Sequence, residues 1–266
     1  MTAILAAAGL ALELAIGGAA FNPWAHELVD FEMGSGGNPG YPDPNSALGP
    51  VDPVTGEGLG LHSPLTMFNP PFDTDEVVSL GEGGFITVAF EAVVDDRTGA
   101  DFIVFGNAGF SGAAPSFDVH TDPAILFGAD GSGSLVEVSL NGTDFFALPG
   151  TVDDLFPTQP WIDAGSALPS DFRRPVPSSL TLRDFAGLDF PSAIALYDRS
   201  AGGRPFDISG TRLSSFRFVR ISNITAGGDG NLEVDALVIV PEPGTTALIG
   251  LGGTLFLMVR AGGRRE

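Results

Sequence analysis

Oxygen-bearing side chains recur at every second position of the stretch GGDGNLEVDA: Asp229, Asn231, Glu233 and Asp235. Calcium takes about six to eight oxygen ligands in an adaptable shell, and a glycine-rich turn ahead of the acids lets backbone carbonyls join the cage. The stretch is therefore a candidate structural calcium site, although it is not an EF-hand loop. A second acidic group, Asp95, Asp96 and Asp101, lies near Asn107. Capping of turns and solvation are the other uses such acids find.

Sugar chemistry asks for an exposed aromatic face beside amides and carboxylates. The loop TQPWIDAG offers Trp161 with Gln159 and Asp163, and Trp24 and Tyr41 are further aromatics in loops or at edges. A tryptophan flanked by proline also serves as a plug over a core, so both uses stay open. Catalytic patterns are sparse. The 33 acidic residues allow many carboxylate pairs for glycoside hydrolysis, but no spacing singles one out. No GxSxG elbow is present, and a phosphate-binding GxxxxGK[ST] needs a lysine the chain lacks. The absence of cysteine excludes thiol nucleophiles and thiolate zinc sites. The three histidines, His26, His62 and His120, have no metal-binding spacing. The pattern points to a non-enzymatic binding protein, with a secreted hydrolase using a carboxylate pair as the alternative.

The elements that must hold these residues are strands. Thirty-seven glycines and 21 prolines punctuate short apolar runs, and 44% apolar composition supplies a core. ELVDFE (27–32), FITVAF (85–90), DFIVF (101–105), LVEVSL (135–140), 145–148, SFRFVRIS (215–222) and LEVDALVIV (232–240) read as strands. Val136, Val138 and Leu140 alternate with Glu137 and Ser139, as in a sheet with one wet face, and Asn141-Gly142 turns the chain back into Phe145. The expected fold is all-β: an antiparallel β-sandwich with long loops, plus a signal-like N-terminal helix and a hydrophobic C-terminal helix. Met33–Phe72 and Thr151–Pro191 are expected as long surface excursions.

The formal charge of −21, from 33 acids against 12 arginines, repels nucleic acid and suits a soluble extracellular protein or one that holds divalent cations. Residues 1–25 read as a signal peptide, with an apolar run from Ala3 to Leu12 and small residues Gly18 and Ala20 before a cleavage point after Ala20 or Ala25. The body is expected over 26–240. At the other end the 16 residues Gly244–Val259 carry no charge and span about 24 Å as a helix, marginal against a bilayer core of about 30 Å. Arg260, Arg264 and Arg265 would orient that helix with the body outside. Pro241 and Pro243 hold Glu242 extended and accessible.

Pro241-Glu242-Pro243, an apolar run and terminal arginines, in that order over 241–266, resemble the PEP-CTERM sorting signal of bacterial surface proteins. The resemblance implies export, transient residence in the inner membrane, processing near Glu242 by an exosortase, and a final place at the cell surface or outside. Further stretches resemble PEP-CTERM surface proteins of unassigned role: GNPGYPDPNSALGP near residue 40, VVSLGEGGFITVAFEAVVDDRTGADFIVFGNAGF from Val77, and GGRPFDISG near Phe206. VEVSLNGTDFFAL and FRFVRISN are also similar to strands of galactose-binding-like jelly rolls, which implies glycan (exopolysaccharide) or calcium binding. Gly106, before the asparagine of the VFGN stretch, stands where the PEP-CTERM surface proteins of unassigned role commonly have an acidic residue, so no role for such a carboxylate carries over.

Overall fold

The computed structural model describes residues 21–113, 118–119, 126–127, 133–152, 155–224 and 231–241. Both expected terminal helices lie outside these residues, as do Asp229, Glu242, Pro243, Arg260, Arg264 and Arg265. The ten strands that organise the body are β1 (Glu27–Glu32), β2 (Val78–Leu80), β3 (Phe85–Asp95), β4 (Phe102–Phe105), β5 (Ser134–Ser139), β6 (Phe146–Ala147), β7 (Arg204–Phe206), β8 (Ser215–Asn223), β9 (Leu232–Val234) and β10 (Ala236–Ile239). Among the described residues every strand pairing is antiparallel and the one α-helix is α1, Phe190–Leu196. The body is all-β.

A five-stranded sheet runs β1-β3-β8-β5-β6, and a three-stranded sheet runs β7-β4-β10. Period-two alternation gives each sheet an inner apolar face. Ile86, Val88 and Phe90 of β3, Val136 and Val138 of β5, and Phe216, Val219 and Ile221 of β8 meet Phe102, Val104, Leu237 and Ile239 of the small sheet in one core. Phe102 ties the two sides together: its ring lies 5.3 Å from Phe216 and 5.3 Å from Phe206. The β3–β8 register slips between Phe216 and Phe218, and Arg217, the residue passed over, donates Nε to the Phe90 carbonyl at 3.0 Å.

The small sheet is buried on both faces, which explains why FIVF and ALVI carry no polar alternation. Ile103, Phe105, Ala236 and Val238 face a second cluster completed by Val51, Leu65, Ala201, Trp24 and Phe172. The two expected surface excursions therefore supply a packed layer instead. Ala47, Val51, Leu65 and Met67 from the first, and Leu155, Phe156, Val176 and Phe185 from the second, are buried. Backbone polar groups in this layer are met locally, as where Asp189 caps α1 by accepting from the Ser192 N–H at 2.9 Å.

The run LEVDALVIV, expected as one strand, is two. β9 pairs with β2 and β10 with β4, so the chain changes partner at Asp235, whose N–H donates to the Phe105 carbonyl at 2.9 Å. The β5–β6 hairpin is found, with Glu137 opposite Ala147, but its loop is longer than a two-residue turn. Asn141 Oδ1 organises that loop, accepting from the N–H groups of Thr143 and Asp144. Gly106 follows β4 where backbones approach closely: a Cβ there would sit 2.4 Å from the Glu233 carbonyl oxygen and 2.8 Å from Leu155 Cδ1. No side chain fits without moving β9. We expect Gly106→Ala to cost roughly 1–3 kcal/mol by overpacking, read from the urea midpoint; a midpoint equal to that of the parent chain would show the junction to be loose.

Candidate functional site

Beside the β9–β10 junction lies a cavity of about 280 Å³ whose lining includes six carboxylates: Asp52, Glu57, Asp73, Asp75, Glu76 and Asp235. Two lie ahead of or within short elements of the first excursion, three form the turn leading into β2, and Asp235 arrives from the junction between β9 and β10. No arginine is among the lining residues. Carboxylate oxygens of Glu57, Asp73 and Glu76 lie within 4.8 Å of one another. Two like charges at that distance repel by roughly 3 kcal/mol in a medium of effective dielectric about 20, so bringing them together needs compensation.

Backbone donors supply part of it. Glu76 Oε2 accepts from Thr55 Oγ1 at 2.6 Å, the Asp73 N–H at 2.7 Å and the Phe72 N–H at 2.8 Å. Asp52 accepts from the Val54 N–H at 3.0 Å, and Asp73 from the Gly58 N–H at 3.3 Å. Burial nevertheless raises the Glu76 carboxyl above its ordinary range, against those three donors and helped by the charge of Asp73. Asp235 is only 4% exposed, and its Oδ2 is enclosed with no hydrogen-bond partner. Burial pushes its carboxyl well up, with the charges of Glu76 and Asp52 adding to the effect. The cavity can thus hold a proton on Asp235 or a hard cation among its oxygens.

The acids expected as one calcium-binding strand segment are split by this arrangement. Asp229 lies outside the described residues, and Asn231 and Glu233 do not line the cavity. Glu233 stands nearby, since its charge helps raise the Tyr41 hydroxyl, an effect led by burial. Of the three that are described, Asp235 alone lines the cavity, joined there by residues far away in the chain. Asp52, Glu57, Asp73, Asp75 and Glu76 escaped the sequence reading, although the density of acids in FDTDEV was a visible signal.

The loop around Trp161 is held by its own polar side chains, one of which also ties it to the first excursion. Gln159 is buried, its Oε1 accepting from the Met67 N–H at 3.0 Å and its Nε2 donating to the Trp161 carbonyl at 2.8 Å. Asp163 accepts from the N–H groups of Gly165, Ala167 and Leu168. Trp161 is half-buried, with its indole N–H enclosed. Trp24 packs on Phe172 at 5.8 Å, and the Tyr41 hydroxyl donates to the Phe72 carbonyl at 2.9 Å, so both rings serve the packed layer. A more open aromatic hollow, of about 570 Å³, lies at the β5–β6 loop, lined by Asn141, Thr143, Asp144, Phe145, Phe146 and Leu213. The Arg220 guanidinium stacks 3.9 Å from the Phe145 ring centre.

The other acidic group assembles from Asp96, Asp101 and Asp207, with Asp95 left out. Asp101 is buried, and its two oxygens accept from the Arg97 and Ile208 N–H groups, each at 2.9 Å. Burial raises its carboxyl to about 6; the two backbone donors oppose the rise, and the charges of Asp207 and Asp96 add to it. No protein-family model matches the chain, and no curated protein is significantly similar to it.

A carboxyl raised above its unfolded value takes up its proton preferentially in the folded state. Its contribution is therefore fully present below the unfolded value of 3.8 and lost as pH rises through about 6. We expect the stability gap between the parent chain and Asp101→Asn to widen by on the order of 1–3 kcal/mol between pH 7 and pH 4. Paired urea melts measure it; a gap constant with pH would show that Asp101 titrates normally.

Proposed function

We propose that the chain is an exported, non-enzymatic cell-surface or extracellular-matrix protein, sorted by an exosortase, whose jelly-roll-like body associates with exopolysaccharide. The observation that carries this reading is how Ile239, Val240 and Pro241 are held. Val240 donates its N–H to the Asp101 carbonyl at 2.9 Å, and its own carbonyl accepts from Arg97 at 3.0 Å. The adjoining Ile239 carbonyl accepts from Arg173 at 3.2 Å. The next residue, Pro241, is exposed. Pro241, which opens the Pro-Glu-Pro motif, thus reaches solvent directly after a firmly held strand, which suits presentation of the motif to a processing enzyme while the body stays folded. The two facing sheets and the long loops accord with a jelly roll. Phe145, with Asn141, Thr143 and Asp144 beside it, supplies the aromatic face and polar rim that a sugar ring needs.

A carboxylate-pair hydrolase is the second reading, motivated by the acidic cavity. A general acid must reach a substrate oxygen, whereas Asp235 is 4% exposed and Glu76 has one oxygen committed to three donors. The binding reading fits those constraints better.

Two measurements test the proposal. Glu242→Ala is expected to remain in the inner membrane with its tail uncut, as judged by cell fractionation and the mass of the mature C-terminus; normal release and cutting would refute sorting at this residue. On a glycan array the parent chain is expected to retain neutral polysaccharide without turnover, and Phe145→Ala to lose at least about tenfold in affinity, the worth of one aromatic stacking contact. Turnover abolished by a single carboxylate substitution would favour the hydrolase instead.

A further inference from the structure

We propose that Asp52, Glu57, Asp73, Glu76 and Asp235 hold one divalent cation of the calcium class in the acidic cavity, and that the ion fastens the Met33–Phe72 layer to the β9–β10 junction. The clustering of acids alone would not carry this. The deciding feature is Asp235: a carboxylate 4% exposed, lining the cavity, with Oδ2 enclosed and lacking any hydrogen-bond partner. Buried polar atoms are almost always satisfied, and one that is not asks for a ligand. A cation satisfies it and relieves the mutual repulsion of its neighbours at once.

The rest of the cavity is arranged to the same end. Oxygens of Glu57, Asp73 and Glu76 lie within 4.8 Å of one another, about twice a calcium–oxygen bond of roughly 2.4 Å. The three donors on Glu76 Oε2 fix the plane of that carboxylate, as outer-shell hydrogen bonds do for metal ligands. No arginine competes for the charge. Calcium suits this site better than magnesium, which keeps most of its water and takes one or two carboxylates in a strict octahedron. The contrast with Asp101 is instructive: both of its oxygens already accept backbone N–H groups, so that acidic group has no orphan and needs no ion.

The ligands come from segments that meet only in the folded body, so binding free energy becomes folding free energy. The test uses the full chain, stripped with chelator and titrated with calcium chloride alone by calorimetry, with melting temperature followed in parallel. One site per chain is expected, with a dissociation constant at or below about 1 mM, the range of extracellular calcium modules, and a melting temperature that rises with calcium. Asp235→Asn and Glu76→Gln should each weaken binding at least about tenfold. Should either fail to fold, Asp52→Asn carries the test, because Asp52 is exposed and its one hydrogen bond, from Val54, can be kept by asparagine. Binding that is absent up to about 10 mM, unchanged in these variants, or weakened instead by Asp207→Asn in the other acidic group, would overturn the proposal.

Discussion

The body is organised by a small sheet that cannot be left wet on either side. β4 and β10 present Phe102, Val104, Leu237 and Ile239 to one core and Ile103, Phe105, Ala236 and Val238 to another. Burying both faces stabilises each large side chain by about 1.5–3 kcal/mol, but only if something covers the outer one. That obligation fixes the fate of the long glycine- and proline-rich segments. They are irregular in backbone and still packed, delivering Val51, Leu65 and Phe172 onto the sheet, where Trp24 from ahead of β1 joins them.

The acidic cavity follows from the same arrangement. A layer drawn over the sheet brings Asp52 through Glu76 across the place where the last strand leaves β2 and joins β4. At such a change of partner the regular alternation of faces is interrupted, and the residue there, Asp235, is buried with its carboxylate unmatched. The tightness of that spot is shown by Gly106, beside which the Glu233 backbone leaves no room for a Cβ. Close backbone approach and a buried carboxylate are thus two consequences of one junction.

Much of the sheet framework was legible in the sequence because strand patterning is local. ELVDFE coincides with β1, and FITVAF, DFIVF, LVEVSL and SFRFVRIS lie within a residue or a few of strands found. The break in LEVDALVIV was not legible, since it is caused by which neighbour each half pairs with. Which acids share a cavity was not legible for a related reason. Spacing along a strand groups Asn231, Glu233 and Asp235, whereas the cavity joins Asp235 to Asp52, Asp73 and Glu76, which come from a distant part of the chain. Around Trp161, composition suggested sugar binding, whereas Gln159 is spent on the backbone of Met67 and Trp161, and Asp163 on the backbone of its own loop.

The amino-acid order by itself determined the all-β class, the strongly acidic surface, the hairpin at Asn141-Gly142 and the pattern of proline, acid and terminal arginines at the C-terminus. These depend on residue type and near neighbours: alternation, turn geometry and summed charge. Tertiary structure alone decided that the excursions are a layer of the core, that Asp101 is buried between two backbone donors, and that Asp235 faces carboxylates more than 150 positions earlier in the chain. Those are outcomes of long-range packing, where the need to cover an apolar sheet outweighs any preference written in a short stretch.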